Sequence, residues 1–154
     1  MTKDRDRASQ QKEGRTGHES LAGHLAAPLM DFNLSNEIAQ LHQEEAWLRT
    51  GHNSKTLVKH PDFRIVLIAL KKGGRVEEHK ADGRISIQTL IGQVRLRILG
   101  QSVDLPAGQL LALDRGLQHD VEAIEESSLL LTISWQKSVE KELMTQVLRA
   151  SLPE

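Results

Sequence analysis

The sequence has no cysteine and no tyrosine among its 154 residues. Without cysteine there is no disulfide, no thiolate nucleophile and no Cys-ligated zinc or iron–sulfur centre, so the interior is held by burial alone. That absence fits a reducing compartment. Aromatic residues are also few, two Trp and two Phe, which removes the stacking platforms that single-stranded nucleic acids need. No excess of one charge is present either, because 20 Lys+Arg against 21 Asp+Glu leave a formal net charge of −1. Nucleic acids and anionic membrane surfaces recruit clustered cations, so neither is expected as a partner. Long apolar runs are missing, since nothing reaches the roughly 18–20 unbroken apolar residues of a membrane helix. No apolar stretch of about 7–15 residues follows the basic residues near the start, as a secretory signal would require. A soluble cytoplasmic protein is the expectation, and without export the acceptor-like triplet Asn33-Leu34-Ser35 carries no meaning.

What is present divides the chain into three parts. Residues 1–30 begin with mixed charges, Gly, Ser and Gln and almost no apolar side chain, so they cannot repay the entropy of ordering and read as a disordered tail. Residues 31–136 read as one domain, a length that suits a single core. They open with an amphipathic helix from Leu34 to Leu48, carrying Leu34, Ile38, Leu41, Trp47 and Leu48, with Asn33 or Ser35 as N-cap and Gly51-His52-Asn53-Ser54 as its end. The periodicity then becomes strand-like through Lys55–Lys59 and Phe63–Leu70. Short runs follow, punctuated at Lys72-Gly73-Gly74, Asp82-Gly83, Gly92-Gln93, Gly100-Gln101, Pro106-Ala107-Gly108, Asp114-Arg115-Gly116 and Glu126-Ser127. Evenly spaced short strands indicate a sandwich or barrel rather than alternating strands and helices. Val94, Leu96 and Ile98 alternate with two arginines, so one face of that strand is core. The apolar run Ser128–Trp135 belongs deep in a sheet. Residues 137–154 read as a C-terminal helix, with Val139, Leu143, Met144, Val147 and Leu148 on its apolar side.

Two motifs stand in register within the strand region. The first runs Gly73, His79, Ala81, Ile85, Gly92, with five, one, three and six residues between successive members. The second runs Gly108, Asp114, Gly116, His119, Ala123, with five, one, two and three. Fifteen residues separate Gly92 from Gly108. This frame resembles the paired motifs of the cupin superfamily, Gly-x5-His-x-His-x3-Glu-x6-Gly and Gly-x5-Pro-x-Gly-x2-His-x3-Asn, over residues 73–123. More loosely, the stretch from the first helix through Trp135 is similar to small bacterial cupin-domain proteins. The resemblance implies an all-β fold, a small double-stranded β-helix or jelly-roll barrel, with a helix before it and a helix after it. It also implies a homodimer, as many cupins form.

The resemblance implies a site as well. If His79 points inward, Glu77 and Ala81 share its parity, Ile85, Ile87 and Thr89 fill the next inward strand, and His119, Val121 and Ala123 lie opposite. Cupin metal sites use three His and one Glu around Fe, Mn, Ni or Zn, and here Ala81 and Ile85 occupy two of those four positions. Losing two ligands weakens a site far more than losing a supporting partner, itself worth about 10–100-fold, so no tightly held metal is expected. The expected role is therefore a non-catalytic small-molecule-binding or sensory cupin with His79, His119 and Glu77 as ligand contacts. The alternative is a metal-dependent oxygenase, isomerase or lyase with the same three residues as a 2-His-1-carboxylate site for a divalent transition metal. A third reading is a structural module that docks a partner through Val139, Leu143 and Val147.

Plainer roles exist for each residue. His79 and His119 fit backbone-bonded imidazoles at a barrel mouth, and Glu77 fits a solvated carboxylate at a strand start. Lys55 and Lys59 fall on one strand face and would meet an anion or only water. His52 and His60 flank the same strand, and His18 and His24 fall in the tail or its junction. Ser86, Gln88 and Leu90 fit an outward row facing solvent or a second copy.

Overall fold

Among the described residues, runs of Ile, Val and Leu between glycine turns fold into nine strands preceded by two short helices. The computed structural model describes residues 27–79, 82–136 and 146–150, with Glu78 and His79 described by their backbone alone. The elements are α1 (Leu34–Leu41), α2 (Glu45–Thr50), β1 (His52–Lys59), β2 (Phe63–Leu70), β3 (Arg75–His79), β4 (Arg84–Ile91), β5 (Gln93–Ile98), β6 (Gln101–Pro106), β7 (Leu110–Leu113), β8 (His119–Ala123) and β9 (Ser127–Ser134). A five-stranded sheet in the order β1-β2-β9-β4-β7 stands with a four-stranded sheet in the order β3-β8-β5-β6, and every pairing is antiparallel.

Strand alternation builds the core between the sheets. Val94, Leu96 and Ile98 turn inward from β5, Ile85 and Ile87 from β4, and Val121 and Ala123 from β8, joined by Leu70, Leu105, Leu113 and Leu129. The apolar run around β9 lies centrally, between β2 and β4, as its composition requires. Buried polar groups in this core have partners: Thr89 Oγ1 donates to the Leu105 carbonyl at 2.9 Å, and Ser127 Oγ to the Glu125 carbonyl at 2.7 Å. A second cluster covers the outer face of the five-stranded sheet, where Ile38, Leu41 and Trp47 meet Leu57, Val58, Leu67 and Ala69. Leu90 packs at the edge of that cluster, so the outward row of β4 is partly covered by the chain itself.

Two sequence expectations change. The leading helix is two helices: Asn33 caps α1 through its side chain, and α2 ends at Gly51 in the left-handed conformation. Leu41 and Trp47 are six residues apart, roughly 240° around a continuous helix, so one unbroken helix could not bury both. The break lets Trp47 return to the sheet, and Leu48 is left 68% exposed. Asn53 secures the break, its Nδ2 donating to the Leu41 carbonyl at 3.0 Å and to Glu44 Oε2 at 2.8 Å. For that reason His52, Asn53 and Ser54 belong to β1 rather than to a turn. At the other end of the chain, residues 146–150 are helical, with Val147 and Leu148 exposed. Val139, Leu143, Met144 and residues 1–26 lie outside the described residues. No described helix is long and apolar enough to cross a membrane.

Candidate functional site

β3 and β8 bring the two motif histidines together. In their ladder Val76 pairs with Val121, and His79 pairs with His119. Three steps separate Val76 from His79 and two separate Val121 from His119, so β3 holds one extra residue in a bulge. Bulges of this kind change which face a side chain takes and concentrate at barrel rims.

The bulge decides the place of Glu77. Simple alternation would put Glu77 on the same face as His79, two residues on, but the extra residue interrupts it. Val76 lines the interior beside His119, and Glu77 is exposed. The carboxylate therefore stands at the outside of β3, at the end of the barrel where the two histidine positions pair.

His119 is 2% exposed. Its Nδ1 lies 2.9 Å from the Leu117 carbonyl oxygen. A carbonyl only accepts, so Nδ1 carries the hydrogen and donates. Leu117, two residues before the histidine, has no sequence signal of its own, because the bond comes from backbone geometry. The imidazole faces a cavity of about 60 Å³ lined otherwise by Ile68, Val76, Ile87, Val121, Leu129 and Leu131.

The other candidates separate. A second bulge, between Thr56 and Val58, places Lys55 and Lys59 on opposite faces of β1. Lys55 pairs in register with Leu67 on the outer face, and its Nζ is 2.6 Å from Glu37 Oε2. Lys59 pairs with Arg64 on the inner face. His52 and His60 stand at opposite ends of β1, and neither lines the cavity of His119. Ala81 lies outside the described residues.

The fold of these two antiparallel sheets matches solved structures. A conserved protein of unknown function from Streptococcus pyogenes superposes with a TM-score of 0.56 over 73% of this chain and 91% of its own, at 23% identity. A cupin superfamily protein from Desulfitobacterium hafniense DCB-2 gives 0.55 over 56% and 80%, at 18% identity. An RmlC-like cupin from Shewanella frigidimarina NCIMB 400 gives 0.53 over 57% and 79%, also at 18% identity. The fold is the cupin fold. No protein-family model matches the sequence, and no curated protein matches it. Cupins host many chemistries on one barrel, so the fold assigns no ligand or activity.

The residues present do not fit the metal set that the cupin frame implies. Ile85, at the position of the frame's carboxylate, is 4% exposed and belongs to the core. Alanine at position 81 offers no donor atom, and the nearby carboxylate, Glu77, is on the exposed side of the bulge. The frame's set combines imidazoles with a charge-balancing carboxylate, and here that carboxylate's place is filled by a hydrocarbon.

Proposed function

We propose that this chain is a small-molecule-binding or sensory cupin, non-catalytic and without a tightly bound metal, that receives its ligand at the barrel mouth beside His79 and His119. The observation that carries this reading is His119: a buried imidazole fixed by the Leu117 carbonyl, at the wall of an otherwise aliphatic cavity. Binding sites are commonly apolar with a few placed polar groups, which is the composition found here. The cavity is far smaller than the ~300–1,000 Å³ of a site that encloses a drug-sized ligand, so only a small apolar group enters while the rest of the ligand stays at the mouth. Apart from His119, the lining residues Ile68, Val76, Ile87, Val121, Leu129 and Leu131 are aliphatic and give the imidazole no second proton-transfer group to work with, which supports binding over catalysis.

A metal-dependent enzyme using His79, His119 and Glu77 is the second reading. The carbonyl bond to His119 Nδ1 favours it, because metal-bound imidazoles usually donate their other N–H to such an acceptor. The exposed Glu77 weakens it. Elemental analysis of protein purified without tag or chelator, alongside His79→Ala and His119→Ala, separates the two. Substoichiometric metal unchanged by either substitution is expected. Near-stoichiometric Fe, Mn, Ni or Zn lost in both variants would overturn the binding reading. A thermal-shift screen of the same three proteins against small metabolite-like compounds gives the positive test, with stabilisation present in the wild type and lost in His119→Ala.

A further inference from the structure

We infer that the turn between β1 and β2, together with Trp135, forms a second binding site that takes the oxyanion of a small organic acid or phosphoester. The site is an open cleft of about 550 Å³ lined by Lys59, His60, Pro61, Arg64 and Trp135. It lies apart from the residues that line the cavity of His119 and does not depend on that cavity for its chemistry.

Three observations point to an anion. Lys59 and Arg64 are direct cross-strand partners. Like charges at such a position repel each other, and a shared anion removes the repulsion. Among the described residues Arg64 also lacks an acid. Arg75, Arg84, Arg95 and Arg97 each have a carboxylate within 4 Å, between 2.7 and 3.6 Å away. Among the described residues no carboxylate pairs with Arg64 or Lys59, and Asp62, in the same turn, forms no ion pair with either. Finally, the Arg64 Nε is buried and has no hydrogen-bond partner among the described residues. A buried charged donor without an acceptor leaves the guanidinium charge uncompensated, and a carboxylate or phosphate in the cleft that Arg64 lines would offset it through the rest of the fork.

The surroundings hold the fork in place. The Arg64 guanidinium carbon lies 5.3 Å from the centre of the Trp135 ring, a cation–π contact that fixes its plane. Trp135 is itself tied to the turn by its backbone N–H, which donates to the Asp62 carbonyl at 2.9 Å. His60 N–H donates to the Phe63 carbonyl at 2.8 Å and closes the hairpin. Little has to be ordered when the anion arrives, which favours binding.

Proton–nitrogen NMR of the full chain tests the site with inorganic phosphate and benzoate as probes. The chain has two tryptophans, so two indole resonances are read, with Trp47, buried on α2 against the five-stranded sheet, as internal control. Either probe at tens of millimolar is expected to move the Trp135 indole and Arg64 Nε–H resonances saturably, while chloride at matched ionic strength and the Trp47 indole show no such change. Saturation by phosphate alone assigns a phosphoester, by benzoate alone a carboxylate, and by both the shared oxyanion chemistry. Arg64→Gln and Lys59→Gln are each expected to weaken binding about tenfold. Lys59 is exposed, so its variant stays informative if Arg64→Gln fails to fold. Absence of saturation with both probes overturns the site, as does a response unchanged in both folded variants. The imidazole resonances of His119 report separately on the cavity, which keeps the two readings distinguishable.

Discussion

Arg64 and Ile85 are both direct cross-strand partners of Ile133, one on each side of β9, so they stand in one row across the inner face of the five-stranded sheet. Two strand spacings separate their backbones by about 10 Å. Ile85 occupies the place of the carboxylate in the cupin metal frame, and the far end of its row carries a guanidinium. The electrostatic character of this end is thus opposite to that of a cation site. The proposed anion would therefore sit at the Arg64 side of this row, about 10 Å from the position where the frame places its carboxylate.

Replacement of Gly92 by Ala is expected to destabilise the fold by roughly 2–4 kcal/mol, measured as the shift in urea-unfolding free energy. Gly92 has φ of 80° at the β4–β5 corner, and an added Cβ would fall on the Glu126 carbonyl and near Ser127 Oγ at 2.5 Å. Both a left-handed backbone and contact with a neighbouring chain segment exclude a side chain here. A loss below about 0.5 kcal/mol would show that this corner relaxes freely.

The same glycine shows why the barrel was legible in the sequence while its site was not. Gly92 and the alternation of Val94, Leu96 and Ile98 are local signals, set by turn geometry and strand period. Phe63–Leu70 is equally plain, since its apolar run matches β2. The site depends instead on register. One extra residue between Val76 and His79 separates Glu77 from its expected face, and another between Thr56 and Val58 separates Lys55 from Lys59. No residue type announces either bulge. The break between α1 and α2 was hidden for a similar reason, because the carbonyl freed at Leu41 is met by Asn53, twelve positions on. Arg64 did leave a trace, a single charge inside an apolar strand, but its significance depends on the partners it lacks.

Asn53 makes the helix break testable. Asn53→Ala removes the donors to the Leu41 carbonyl and Glu44, and is expected to cost about 1–3 kcal/mol of unfolding free energy. Asn53→Asp should cost more at neutral pH, because a second carboxylate would face Glu44 and the carbonyl without a proton to donate. Equal stabilities of the Ala and Asp variants at neutral pH would contradict this role for the amide.

Leu99 offers a stabilising change. It and Gly100 form the two-residue loop between the paired Ile98 and Gln101, with φ of 52° and 74°. Such loops favour Asn-Gly, because Asn accepts the left-handed conformation more readily than Leu. Leu99 is also 76% exposed, so little packing is lost. Leu99→Asn is expected to raise stability by about 0.5–1 kcal/mol. A fall in melting temperature would show that Leu99 has a contact that outweighs its backbone strain.

The ion pair of Arg95 and Asp104 gives a pH dependence with a definite sign. Arg95 Nε is 2.7 Å from Asp104 Oδ1 and its Nη2 is 3.1 Å from Oδ2, a two-point contact across β5 and β6. The hydrogen bond from Arg95, with the guanidinium charge beside it, holds the Asp104 carboxyl below the ordinary carboxylate value, against a smaller opposing effect of desolvation. A depressed folded value means that the unfolded chain takes up its proton first as pH falls. The stabilising contribution is therefore present above about pH 4 and disappears as pH drops through the lower folded value. Asp104→Asn should be less stable than the wild type at neutral pH, with the difference shrinking below about pH 4. The pair is exposed, so the neutral-pH difference should also narrow in high salt. Urea unfolding of both proteins across this acid range, at low and high salt, is the measurement; a gap that widens on acidification would show that Asp104 acts through something other than its charge.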